Sequence, residues 1–251
     1  MKRKIEALVA VAAGLALTVV APAAQAAMPV VRIDADAALS TRHGVDAVKF
    51  HVDTAFSTDT PGAAPFTVQR AVIFFPDHAG TNGRLFPSCD AAQIERFRGN
   101  VRRCPEDARI GGGTVTAQAL QLGITARGRV AMFNSHRGKS ITFNIQTTLP
   151  AYINESIDAT LTQLHGIYGE KLALVVPHSL QEVISGVFVG VQDFDVTLTG
   201  STRVHGVDTT YIKARTCPPR ALHGVFDLKD WTSGQTATVT TDAKVRCRVA
   251  R

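Results

Sequence analysis

The stretch ITFNIQ at positions 141–146 decides the fold class, because its apolar and polar residues alternate strictly. Such alternation is typical of a β-strand that has one face on a core and the other in water. The same pattern recurs at 48–53, at 194–199 and over much of 237–247. Turn-forming sequences such as DTPG at 59–62 separate the alternating stretches. The sequence therefore predicts an all-β fold, and specifically an antiparallel β-sandwich of the jelly-roll type.

One short segment is predicted to be helical. Asp90 can cap a helix, Gln93 follows three residues later as in a capping box, and Gly99 can end the last turn. Residues 153–164 fit a strand better than a helix, since apolar and polar residues alternate there. We expect them to form a hairpin with 172–176.

The composition is that of a globular protein. The chain has 251 residues, of which 45% are hydrophobic and 19% are charged. This balance excludes a disordered chain, a collagen, a coiled coil and a polytopic membrane protein.

The first 26 residues have the features of a secretory signal peptide: a basic start, an apolar stretch and the sequence AQA. Cleavage is expected between Ala26 and Ala27. An uncleaved anchor is the weaker interpretation, because the apolar stretch is short of the roughly 20 residues that a membrane-spanning helix needs. We expect 27–44 to form an N-terminal arm or an edge strand and 45–251 to form a single β-sandwich domain. The mature protein is then secreted, or associated with the cell wall, and has no transmembrane span.

The net charge is only mildly positive. The formal charge of the whole chain is +6, and loss of the signal peptide, which carries three basic residues and one acidic residue, leaves +4. With only three Tyr and one Trp, the chain lacks the basic stripe and stacking aromatics that nucleic-acid binding requires. Nucleic acid is therefore not an expected partner.

Four cysteines remain after the signal peptide, and an even number in an oxidising compartment indicates disulfides. Four cysteines allow three pairings. We favour Cys89 with Cys104 and Cys217 with Cys247, because each pair closes a loop within one local unit. A zinc site is the alternative, but it would need closely spaced Cys or His pairs, which the sequence lacks.

Several short motifs, taken together, resemble those of a known family. They are FPSC at 86–89, RCP at 103–105, IGGGTV at 110–115 and TCP at 216–218, followed by a lone Trp231 and the last cysteine. The arrangement resembles a family of uncharacterised secreted proteins of actinobacterial type, over roughly residues 45–247. The resemblance implies export and a β-rich fold, and it supports the two disulfides favoured above. We expect Trp231 to pack against the second disulfide.

The sequence carries no recognisable catalytic signature, cofactor motif or metal site. A hydrolase with an unrecognised site is the alternative function, for which Asp77 with His78 and Asp193 with Asp195 are the candidate residues. Asp193 and Asp195 share one face of a strand, about 7 Å apart, as a glycosidase pair or a calcium site would require. We favour a solvated strand face for them. The glycines at 111–113 are interpreted as allowing a strand to bend, because no Walker lysine or helix follows.

The charge distribution suggests a surface ligand. No acidic residue occurs between 108 and 154, and the candidate anion-binding residues in this stretch are Arg127, Arg129, His136, Arg137 and Lys139. A positive face of this kind attracts anionic cell-wall polymer or a lipid surface, although an ordinary solvated hairpin is the simpler alternative. The sequence thus favours an exported, non-catalytic protein of the cell envelope or extracellular space that binds anionic surface material. It does not predict the oligomeric state.

Overall fold

A computed structural model describes residues 27–42, 45–77, 79–149, 151–214, 217 and 221–250. The predicted signal peptide, including Ala26, lies outside the described residues. Among the described residues, no helix has both the length and the apolar character that a membrane span requires.

The fold is all-β, as predicted, with two short α-helices. The strands are β1 (Pro29–Arg42), β2 (Val45–Thr58), β3 (Thr67–Pro76), β4 (Ala79–Thr81), β5 (Arg109–Ala119), β6 (Ile124–Ser135), β7 (Ser140–Thr147), β8 (Ile153–Gln163), β9 (Tyr168–Val175), β10 (Glu182–Ile184), β11 (Val187–Leu198), β12 (Ser201–Val204), β13 (Val207–Thr210), β14 (Ile212–Ala214), β15 (Leu222–Lys229), β16 (Thr236–Ala243) and β17 (Val245–Ala250). The helices are α1 (Ala91–Arg96) and α2 (His178–Gln181). Residues 153–163 and 168–175 form the predicted hairpin.

One mixed sheet of 13 strands contains most of the chain, in the order β16-β15-β3-β9-β8-β7-β6-β5-β11-β2-β1-β17, with β10 paired to β11. The described strands of this sheet pair antiparallel except for β1 with β17, which pair in parallel. Strand β16 also packs against β1, so the sheet nearly closes into a barrel. The two stacked sheets of the predicted sandwich are not seen, because the apolar face of this sheet packs against itself. The segment expected to be an arm or edge strand is β1, which pairs on both sides, with β2 and β17.

Glycines and a bulge shape the contact between β5 and β11. A Cβ atom on Gly113 would lie 1.9 Å from the backbone oxygen of Asp195, so only glycine permits this approach of the two strands. The register of β11 shifts between Val191 and Asp193. Because such a bulge reverses the alternation, Val191 and Phe194 both face the interior. The bend predicted for residues 111–113 stays a prediction, since the bulge lies opposite a later part of β5.

The first disulfide and α1 form a unit on the outer face of the sheet. Asp90 and Gln93 make the predicted capping box, in which each side chain accepts the backbone N–H of the other residue. The fully buried Cys89 is bonded to Cys104, and Ile94 packs with them onto Phe133 of β6.

The second disulfide joins Cys217 to Cys247 of β17, which completes the favoured pairing. Two disulfides fit an oxidising or extracellular environment. The expected packing of Trp231 on this disulfide is not what the structure shows. Trp231 instead stacks on Phe188 of β11, with 4.4 Å between ring centroids, and the Nζ of Lys229 lies 3.5 Å from the Trp231 ring.

The two ends of the curled sheet differ. The end that carries the connections 136–139 and 164–167 is called the closed end, because the chain segment 83–87 and the small β4–β14 ribbon lie across it. Phe86 and Tyr211 pack there edge to face, with 5.3 Å between ring centroids, and both are buried. The opposite end carries the connections 120–123 and 148–152 and the helix α2. It is called the mouth end.

Candidate functional site

The inner face of the sheet encloses a cavity of about 260 Å³. Its walls come from twelve of the described strands and from α2, and they are almost entirely apolar, as Met132, Phe143, Leu172 and Phe194 illustrate. The alternation that predicted the strands explains this lining, because each strand turns every second, apolar residue inward. The result is an apolar interior that the wall side chains do not fill.

The cavity opens toward the mouth end. Along β7, the inward-facing Ile141 is buried near the closed end, whereas Ile145 near the mouth end is half-buried. Along β8, Ile157 is buried and Ile153 is half-buried. Leu180 of α2 also lines the cavity, so the short helix partly covers the opening.

The cavity is long and narrow. Ile153 and Leu161 both line it, and eight residues of β8 separate them. That separation is about 26 Å along the strand. Strands of a closed sheet tilt by about 40°, which leaves a channel about 20 Å long. A volume of about 260 Å³ over this length corresponds to the width of one chain-like molecule.

The principal polar group in the wall is the carboxylate of Glu170 at the closed end. Glu170 is 2% exposed, and its Oε1 accepts hydrogen bonds from the backbone N–H and the hydroxyl of Thr81 and from the side-chain amide of Gln163. Burial, together with the charge of Glu170, raises the pKa of Tyr211 well above its usual value, so this phenol is neutral. The closed end therefore presents a satisfied carboxylate rather than a cation to the interior.

Helix α2 is held over the mouth by a few polar contacts. The hydroxyl of Ser179 donates to Oε1 of Glu155 on β8 at 2.8 Å, and the side-chain amide of Gln181 donates to the backbone oxygen of Val176 at 2.6 Å. His178 pairs with Glu182, with 2.8 Å between Nε2 and Oε2. A four-residue helix with so few contacts can move at small cost in free energy.

The predicted anion-binding residues fall into two groups. Arg127 and Arg129 lie on the outer face of β6, and the strand register places Arg129 in one row with Thr114 and Asp195. Arg127 is in the equivalent row with Asp193. Only one strand separates each arginine from an aspartate, or about 10 Å. Acidic groups on β11 thus border the basic group, which the sequence alone did not indicate.

The second group lies about 20 Å away along β6, at the closed end. His136, Arg137 and Lys139 are exposed in the β6–β7 connection, and His136 pairs with Asp158, with 3.2 Å between Nε2 and Oδ2.

Binding to anionic wall polymer stays a prediction. We expect the triple variant Arg127→Ala, Arg137→Ala, Lys139→Ala to elute from isolated cell wall at lower salt than the unaltered protein. The expected loss of binding free energy is about 1–2 kcal/mol. Unchanged elution would contradict the electrostatic preference.

The Asp193 and Asp195 pair belongs to a larger acidic cluster on the outer face. Asp53 of β2 lies opposite Asp195 and shares a side-chain hydrogen bond with Asp193, while Nε2 of His51 lies 2.9 Å from Oδ1 of Asp195. Burial of its carboxyl group, helped by the neighbouring carboxylates, raises the pKa of Asp53 to about 6. Among the described residues, no group of three or more His, Cys, Asp or Glu side chains is arranged to hold a metal ion.

The raised pKa predicts a pH-dependent stability. Folded Asp53 keeps its proton up to about pH 6, whereas the unfolded chain loses it near the ordinary aspartate pKa of 3.8, so the free energy of unfolding falls as pH rises between these values. We expect Asp53→Asn to raise the free energy of unfolding at pH 7.5 by about 1 kcal/mol, a small gain because the cluster is partly solvated. At pH 4.5 the gain should be smaller. Urea titrations at both pH values measure the gain in the free energy of unfolding, with Asp208→Asn at an exposed position as control. An equal gain at both pH values would contradict the raised pKa of Asp53.

The other hydrolase candidate is only half described. His78 lies outside the described residues, so its geometry with Asp77 is not part of the site. Asp193 and Asp195 are described, but they project from the outer face of the sheet, whereas the cavity lies on the inner face.

Comparison with known proteins gives no relative. A scan against protein-family models, a search of curated proteins and a search of solved structures each returned no match. The site is therefore judged on its own geometry. Sequence reasoning missed the cavity because its lining residues are spread over twelve strands. The one available signal was the small size of inward-facing residues such as Ala117 and Ala126.

Proposed function

We propose that this protein is an exported, non-catalytic binding protein of the cell envelope or extracellular space, and that its ligand is a single acyl chain held inside the curled sheet. The observation that carries the proposal is the apolar cavity of about 260 Å³. A cavity with few polar groups in its walls selects an apolar ligand.

The size of the cavity supports a binding role over a packing fault. Empty volume in a protein core costs about 24 cal/mol per Å³, so a void of this size would cost about 6 kcal/mol. Whole domains are stable by only about 5–15 kcal/mol. A cost of that order is offset when a ligand fills the space.

The shape and polarity of the cavity support one chain and one orientation. A channel about 20 Å long admits an extended chain more readily than a compact ring system. The buried carboxylate of Glu170 at the closed end disfavours an anionic head group there. The chain therefore enters with its apolar end first, and its polar head stays at the mouth.

A binding titration tests the proposal. We expect cis-parinaric acid, a fluorescent single-chain fatty acid, to bind the mature protein, residues 27–251, saturably with one molecule per protein. In competition, each methylene added to a saturated fatty acid should raise affinity about fourfold until the channel is filled. Absence of saturable binding, or an affinity that does not depend on chain length, would contradict the proposed function.

A further inference from the structure

Exposed apolar side chains surround the mouth of the cavity. They stand in the connections and strand ends of the mouth end, and we call them the mouth rim: Leu122, Ile124, Leu149, Tyr152, Val175 and Ile184. Leu149 and Tyr152 are 75% and 76% exposed, the largest values among the exposed large apolar residues of the described chain. Tyr152 lies between Ala151 and Ile153, which both line the cavity. The mouth rim is thus continuous with the opening.

The stretches of chain that carry the mouth rim lack formal charge. Residues 110–126, 140–154, 172–181 and 183–192 contain no Asp, Glu, Lys or Arg. Charged residues of the mouth end, such as Glu155, Glu182 and Lys229, lie outside these stretches. The mouth rim itself is therefore an uncharged apolar surface.

We propose that the mouth rim inserts into the surface of an uncharged lipid bilayer, from which the acyl chain passes into the cavity; this inference rests on the proposed function. A lipid bilayer is favoured over a protein partner because the rim side chains stand on separate connections and strand ends rather than on one flat face. A bilayer supplies acyl chains directly at the opening. A protein or a second copy seated there would instead cover the mouth.

The residue types fit this occupant. Leucine and isoleucine side chains gain from transfer into the acyl region, and a tyrosine places its ring among acyl chains and its hydroxyl among head groups. Because the mouth rim itself contains no cation, its insertion should persist at high salt. This persistence separates the mouth rim from the basic groups of β6, whose attraction to anionic material salt weakens.

The test is flotation of the mature protein, residues 27–251, with phosphatidylcholine vesicles at low and high salt. We expect the protein to float equally at both salt concentrations. The Leu149→Ser, Tyr152→Ser variant should partition at least about tenfold less. The matched control is Leu85→Ser, Ile167→Ser, which removes two exposed apolar side chains of the closed end and should float like the unaltered protein.

A second measurement separates this proposal from the proposed function. Cis-parinaric acid binding without vesicles should be unchanged in the Leu149→Ser, Tyr152→Ser variant, which shows that it is folded. Probe binding without flotation would overturn the bilayer proposal alone, and absence of probe binding would overturn the proposed function. Equal flotation of the rim variant and the control would overturn the bilayer proposal. So would a dimer in light scattering that the rim variant converts to a monomer, since a second copy would then cover the mouth rim.

Discussion

Ala117→Phe is expected to lower the affinity for cis-parinaric acid at least about a hundredfold. Ala117 lines the cavity, and its cross-strand partners Val191 and Ala126 line it too, so the new phenyl ring would stand in the part of the channel near the mouth end. An acyl chain blocked there loses burial of at least four methylenes, each worth about 0.8 kcal/mol. The sum of about 3 kcal/mol corresponds to the hundredfold loss.

The same substitution should leave the fold intact. Overpacking a filled core costs about 1–3 kcal/mol, but here the ring enters existing empty space. We therefore expect the free energy of unfolding in urea to change by less than about 1 kcal/mol. The matched control is Thr114→Phe, three residues earlier on the exposed outer face of the same strand, which should keep full affinity. Undiminished binding by Ala117→Phe would place the ligand outside the cavity.

Asn134→Ala is expected to cost about 3–5 kcal/mol of the free energy of unfolding. Asn134 is fully buried on the inner side of β6 at the closed end. Its side-chain amide donates to the backbone oxygens of Gly83, Phe86 and Pro87 at 3.0, 3.0 and 2.9 Å. The Gly83 oxygen also accepts from the backbone N–H of Phe86 at 3.2 Å, so removal of the amide leaves the carbonyl groups of Phe86 and Pro87 without this donor. Each costs about 1–3 kcal/mol.

Two further variants sharpen this expectation. Asn134→Asp keeps the size but places a carboxyl group against three carbonyl oxygens, so it should destabilise the fold at least as much as alanine does at neutral pH. Asn82→Ala is the control, because the Asn82 amide donates to one backbone oxygen, that of Thr210, at 2.9 Å. Because only that single hydrogen bond is lost, we expect Asn82→Ala to lower the free energy of unfolding by about 1 kcal/mol. Equal losses for Asn82→Ala and Asn134→Ala in urea titrations would contradict the anchoring role.

The local elements follow from local patterns. The alternation at 141–146 predicts β7 because a period of two places every second side chain on one face, and β7 occupies 140–147. The capping pattern at Asp90 and Gln93 predicts α1 because its hydrogen bonds lie within one turn. The cysteine pairing follows from the same locality, since each disulfide closes one loop without a long excursion of the chain.

The candidate sites were harder to predict. Asp193 and Asp195 were correctly placed on one face, but Asp53 joins them through pairing of β2 with β11, strands far apart in sequence. Asn134 offered a local signal that was not used: it shares the inward parity of Val130 and Met132, so it is a polar residue at a buried position. The stretch 110–126 itself lacks charge, and it carries the rim residues Leu122 and Ile124, whose common position at the mouth depends on the pairing of β5 with β6.

The amino-acid order by itself determined which segments are strands and which face of each strand is apolar, because those properties depend on neighbours within a few residues. The tertiary structure alone decided what covers the apolar faces. Alternation is the same whether two sheets stack or one sheet curls onto itself. Only the long-range strand order, which runs from β16 at one edge of the sheet to β17 at the other, selects the second arrangement. The cavity and its mouth follow from that closure, since they exist only where inward side chains from many strands fail to meet.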